Sequence, residues 1–283
     1  MHHRTGHAAV LNSAALREVG EADHPDGVLV DRHDILARVP RIGHGDLARA
    51  ARSVSAEWLA AGVESFVDAT HTNGPEDIEL LARFCREGIV QQAVTAMVSP
   101  GSAAALGGYG SRVGDVRIGH VKVMPIRGGT PLLLQVQAAH DCGYPVAVHV
   151  TDIDVLEDTL DALERSPAPA GSVDRIEHNA LSLPEQVERL AASGVGVVVN
   201  PSFLLHRRTK YEQELSAVER GWLVRIRSLI EAGIPVRAGS DSPVTPAVPA
   251  EIMAAAMAHP FSQEESVDAE MAAALLSPWE LSP

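Results

Sequence analysis

Short runs of β-branched and other apolar residues alternate with helix-length amphipathic segments along most of this chain. Residues 63–69 predict a strand, and residues 75–86 a helix, with Pro75 in its first turn and Gly88 beyond its end. Strand-type runs recur over 89–98, 119–124, 145–149, 173–178, 195–200 and 234–241. Helix-type segments over 131–142, 153–165, 184–193 and 222–232 lie between the later strands, and two more, 250–258 and 263–276, follow them. Residues 100–114, rich in Gly, Ser and Ala, predict a surface loop. Seven strands joined by helices favour parallel pairing. The expected fold is an α/β, TIM-like (β/α)8 barrel that is incomplete, with seven strands recognisable.

The first sixty residues follow another pattern. Residues 5–16 lead into a short helical stretch, and a charged segment punctuated by Pro and Gly follows over 20–45. Residues 46–61 then predict a helix, with Leu47, Ala51, Val54 and Leu59 on one face and Gly62 closing it. This divides the chain into a lead-in, 1–61, and a barrel, 62–283.

Candidate chemistry collects at the strand ends. Run 119–124 carries Lys122, run 145–149 ends on His149, run 173–178 on His178 and run 234–241 on Asp241. The C-terminal ends of barrel strands are where this architecture keeps its catalytic groups. Imidazole and carboxylate donors suit zinc and similar divalent ions. A lysine joins such a set only when deprotonated or modified. His71, in Asp68-Ala69-Thr70-His71, leaves a strand toward the same mouth and is read either as pocket lining or as a polar loop start. Strand alternation directs Arg175 and Glu177 to the face opposite His178, as a structural pair, and His120 is read as structural too. The Arg207-Arg208-Thr209-Lys210 cluster is a solvated loop or an attractor for an anionic substrate.

A net charge of -14 leaves no basic face to neutralise phosphates, which excludes nucleic acid as a partner. No apolar run approaches the ~20 residues that span a bilayer. Two cysteines without CxxC spacing point to reduced thiols, and no signal-type apolar segment follows Met1. The expectation is a soluble cytoplasmic protein with a small-molecule substrate, no nucleic acid or membrane partner, and homo-oligomerisation as an option.

Several stretches, in order, carry a family resemblance: Gly6-His7 with the following Ala8–Leu16, Val121-Lys122, Ala147-Val148-His149, Arg175-Ile176-Glu177-His178, Asn200-Pro201-Ser202-Phe203 and Gly239-Ser240-Asp241-Ser242-Pro243. Together they resemble the amidohydrolase superfamily, amidohydrolase-3 branch, across nearly the whole chain. The resemblance implies a metal-dependent hydrolase acting on non-peptide C–N bonds, with one or two divalent ions, zinc foremost. It implies that Lys122 is carboxylated to bridge the metals and that His149 and His178 bind the more exposed one. Asp241 would hold the other and act as general base, with His178 also in the catalytic set and His7 and His71 on the substrate side. The chain departs from the pattern in having no His-x-His pair, which the superfamily places on its first strand. It begins within what resembles the insertion after that strand, and it lacks the flanking β-sandwich. The alternative is therefore a truncated, inactive barrel or binding remnant.

Overall fold

The structure is a computed structural model and describes residues 8–30, 32–40, 42–126 and 128–279. Its strands are β1 (Ala8–Val10), β2 (Val28–Val30), β3 (Ser65–Asp68), β4 (Ala93–Val98), β5 (Arg112–Val113), β6 (Val116–Val123), β7 (Val146–Val150), β8 (Arg175–His178), β9 (Gly196–Val199) and β10 (Val236–Ala238). Seven of them form one parallel path in the order β10-β9-β8-β7-β6-β4-β3, with β5 added antiparallel to β6. This is the incomplete TIM-like barrel that the alternation of runs predicts.

Central strands of a parallel sheet are covered on both faces and so read as continuous apolar runs. Here Val121, Val123, Val146, Val148, Val150, Ile176, Val197 and Val199 are all buried in one core with the surrounding helices. The sheet curls strongly. Lys122 on β6 and Asp241 after β10 are four strand spacings apart, ~19 Å if the sheet were flat, yet the Asp241 charge acts on Lys122.

The two ends of the path differ. On β3, Val67 is 40% exposed and Phe66 only half-buried. On β10, the Ala238 N–H donates to the Leu275 carbonyl at 2.8 Å, so a helix end covers part of that edge. Among the described residues no ladder joins β3 to β10.

Trp279 fills the inside of the barrel beside Gly196. A Cβ at Gly196 would lie 1.8 Å from the indole, so only glycine leaves the ring its place. The guanidinium groups of Arg175 and Arg237 lie 5.4 and 5.8 Å from the ring centre, within cation–π range.

Residues near the start of the chain form a separate small layer. β1 and β2 pair antiparallel over a core of Leu11, Leu16, Val19, Leu29 and Ile35. Asn12 caps the helix Ser13–Glu18 by accepting from the Ala15 N–H. The helix His44–Ala60 packs instead on the main core through Leu47, Ala48 and Ala51.

Several boundaries shift for local reasons. Segment 100–114 is not all loop. It holds a 3-10 turn, Pro100–Ala105, and then β5, which Gly114 at φ +55 turns back onto β6. The strand expected from 89 begins at Ala93, because Ile89 and Val90 hydrogen-bond back to Phe84 and close the preceding helix. The helix expected over 263–276 breaks at Ser266, and Asp268 caps a new one, Ala269–Ala274, through the Met271 N–H. The basic segment is helical over Arg208–Glu214, where Arg208 pairs with Glu212 and Lys210 with Glu214.

Candidate metal centre

Register sets which side chains meet inside the barrel. Lys122 lies opposite Ala147, which lies opposite Arg175, and His149 lies opposite Glu177. Laterally paired residues project to the same face, as do residues two apart on one strand. Lys122, His149, Arg175 and Glu177 therefore share the interior face, while Val121, Val148, Val150 and Ile176 point out to the helices.

Alternation would send His178 outward with Val150. It does not go there, because His178 has φ +74. Such backbone is costly for a residue with a Cβ and tends to be kept where a side chain must be re-aimed. Its ring meets His149 edge-to-face, with centres 4.6 Å apart. The expectation that Arg175 and Glu177 face away from His178 is thus corrected. They do form a pair, with Arg175 Nε 2.6 Å from Glu177 Oε1, but on the face that His178 turns to join.

The position of His178 is fixed on two further sides. Phe203 stacks against it at 6.0 Å. Its Nδ1 donates to Asn200 Oδ1 at 2.6 Å, and Asn200 Nδ2 donates to the Gly239 carbonyl at 2.9 Å. With the amide nitrogen engaged by a carbonyl, the amide oxygen must face the histidine. The ring is thereby the Nδ1–H tautomer, and Nε2 keeps its lone pair.

Electrostatics favour neutral donors. Burial lowers the pKa of His178, against the opposing pull of the Asp241 charge. Burial likewise pushes down the buried Lys122 amine, against the pull of the Glu177 and Asp241 charges. Asp241 follows β10 at φ +54. It is open to solvent on one side, yet crowding by protein raises its carboxyl above the usual aspartate range, against the His178, Lys122 and Arg207 charges. Below them, burial and the Arg175 charge push His120 down to about 3, and its ring bonds the Val173 carbonyl at 3.0 Å.

Lys122, His149, His178 and Asp241 all lie at the C-terminal mouth of β6, β7, β8 and β10. His71 stands in the turn that leaves β3 at the same end, half-buried. His7 lies outside the described residues. Among the described residues, no three His, Cys, Asp or Glu side chains close on one point as a metal-holding group. The donors nevertheless suit a divalent ion. Two adjacent imidazoles are present, one with its lone pair fixed by Asn200 as is usual around metal sites. A buried amine whose proton is weakened and a carboxylate complete the four. Asn200, Phe203 and Glu177 carry this geometry but were given no site role from sequence. The signal for Asn200 and Phe203 lay in the run ending 195–200 and the Pro201 turn after it.

Comparison with known proteins bears on the family and the fold. The amidohydrolase family model matches residues 1–280. N-substituted formamide deformylase of Arthrobacter pascens is 30% identical over 143 residues, which cover 47% of this chain and 26% of that protein. The amidohydrolase YtcJ of Bacillus subtilis, whose assignment is itself provisional, is 27% identical over 131 residues, 46% of this chain and 25% of that one. The matched region is thus about a quarter of either curated relative's length. Among solved structures, an uncharacterized metal-dependent hydrolase from Pyrococcus furiosus superposes with a TM-score of 0.76 at 21% identity, covering 94% of this chain and 64% of that one. Atrazine chlorohydrolase from Arthrobacter aurescens complexed with zinc gives 0.53 at 17%, covering 82% and 58%. These structural likenesses concern the fold.

Proposed function

The chain belongs to the amidohydrolase family, and from that premise we propose that it is a metal-dependent hydrolase of non-peptide C–N bonds in small amides, formamides or cyclic amides. The observation that carries this reading is the His149–His178 pair at 4.6 Å, with His178 oriented by Asn200, at the C-terminal mouth of a parallel barrel. His149 and His178 would hold a divalent ion, zinc foremost, with Lys122 and Asp241 as the remaining donors. Such an ion, when bound, supplies Lewis acidity and lowers the pKa of a water toward ~7.

The residues themselves divide the rest of the work. Asn200 keeps His178 in one tautomer and one orientation. Burial lowers the pKa of Lys122, against the pull of Glu177 and Asp241, which favours the neutral amine that carboxylation needs. Asp241 accepts the proton of the attacking water at its carboxylate and returns it to the leaving nitrogen.

Elemental analysis of protein expressed with zinc, beside a His149→Ala/His178→Ala double variant, tests the reading. One or two ions per parent chain and none in the variant, followed by turnover in an amide panel, is the expected outcome. Folded parent protein without bound metal would sink it. A second reading, a barrel that binds without turnover, draws on the absence of a ladder between β3 and β10 among the described residues. The exposed β3 edge is also the surface on which we place homo-oligomerisation. Two free thiols, Cys85 and Cys142, accord with a cytoplasmic setting.

A further inference from the structure

We propose that Arg207 anchors a carboxylate on the substrate, so that the site selects amides bearing an acidic group over neutral ones. The proposal rests on the hydrolase reading and names the substrate class for the same pocket.

The neighbouring cations show what is unusual about Arg207. Arg208 lies 2.9 Å from Glu212 and Lys210 3.7 Å from Glu214, each one helical turn along, and His206 lies 2.5 Å from Glu251. These charges are matched locally. Among the described residues no carboxylate lies within ion-pair distance of Arg207. Its guanidinium lies over the Phe203 ring at 4.3 Å, and Phe203 in turn stacks on His178 at 6.0 Å. The cation is therefore one aromatic ring away from a proposed metal ligand, and its charge reaches Asp241. The backbones of Arg207 and Tyr211 are joined as well, the Tyr211 N–H donating to the Arg207 carbonyl at 3.0 Å.

Stacking engages the guanidinium by its face and leaves N–H groups in the plane at its edge. That edge matches a carboxylate, which two parallel N–H donors can hold at once. The surroundings add selectivity. The half-buried Arg207 guanidinium rests on a buried ring that itself touches the site, so its positive charge is held at this mouth by geometry. In a chain of net charge -14, an unmatched cation beside the site is a local exception that would draw in an anion.

The test is equilibrium binding, read separately from turnover. Zinc-loaded parent, Arg207→Ala and Arg207→Lys proteins are titrated calorimetrically with N-acetylated amino acids and with their neutral carboxamides. The pairs match in size and differ in charge. The expected result is a preference of about ten-fold or more for the acid in the parent. Arg207→Ala should abolish that preference and Arg207→Lys should keep part of it, with metal content and melting temperature unchanged. Equal affinity for acid and carboxamide in the parent, an undiminished preference in Arg207→Ala, or no binding of either would overturn the proposal. Arg207-dependent binding without turnover would defeat the hydrolase reading alone. Turnover indifferent to the acid group would defeat the anchor alone.

Discussion

His178 and Asn200 form a 2.6 Å hydrogen bond, and Asn200 passes the constraint on by donating to the Gly239 carbonyl. The end of β8 is thereby tied to the end of β10 through one amide on the intervening strand. Replacing Asn200 with Ala leaves His178 free to change tautomer and tilt. We expect zinc affinity to fall by about 10- to 100-fold, with the fold intact, in a chelator competition titration. Unaltered affinity would mean that the bond has no part in metal binding.

Lys122→Met separates a ligand from a structural charge. The amine is buried with its pKa lowered, and Glu177 retains its bond to Arg175 without it. Metal-free stability should therefore not drop by more than ~1 kcal/mol and should rise if anything, since apolar replacement of buried charge is often neutral or favourable. Bound metal per chain should fall in the same variant. Loss of stability with metal content retained would reverse the assignment.

Acid should destabilise the protein in two stages. Burial, with the Arg175 charge, holds His120 at about 3 against an ordinary 6.5. The unfolded chain takes up that proton first, so stability present above ~6.5 is lost as pH falls toward 3. Glu177 is held at about 2. Burial would raise it, but the Arg175 and Lys122 charges and the Arg175 hydrogen bond outweigh that. Its contribution is present above ~4.5 and is lost as pH falls toward 2. Unfolding free energies from urea titrations between pH 7 and 5 should decline with a slope approaching ~1.4 kcal/mol per pH unit from His120 alone. His120→Gln should flatten that upper stage. A profile identical to the parent's would remove His120 as its cause.

Gly196→Ala drives a Cβ into the Trp279 ring. The expected cost is about 1–3 kcal/mol, typical of overpacking. In a Trp279→Ala background the same substitution should cost less than ~0.5 kcal/mol, because the clash is gone. Denaturant unfolding of the four proteins of this cycle decides the matter. Additive losses would show that the ring is not held against Gly196.

Much of this was legible in the residues. Short Val-rich runs such as Val146-Ala147-Val148 read as strands covered on both faces, by their length and β-branched content, and their spacing by helices leads to a parallel barrel. Lys122, His149, His178 and Asp241 stood out by position, as polar residues toward the ends of those runs, and took their roles from the family resemblance. The side His178 faces could not be read, because alternation assumes regular backbone and φ +74 breaks it. Glu177 was misjudged for the same reason. The place of Trp279 was hidden for another. It depends on a contact with Gly196 some eighty residues away, and glycine there resembles any strand glycine until the ring that occupies its space is seen.

The unjoined edges of the sheet have a mechanical consequence. Lys122, His149 and His178 hang on three strands, each laddered on both sides, so the distances among them are stiff. Asp241 hangs on the lip of a seam, after a strand that among the described residues is laddered to β9 alone and is otherwise held by the Leu275 carbonyl and the Asn200 amide. The softest dimension of the site is thus the span from Asp241 to the imidazoles. An ion held by both would act as a rivet across that span. Its loss should slacken the last strand, with faster amide exchange in β10, while leaving the opposite wall of the barrel as taut as before.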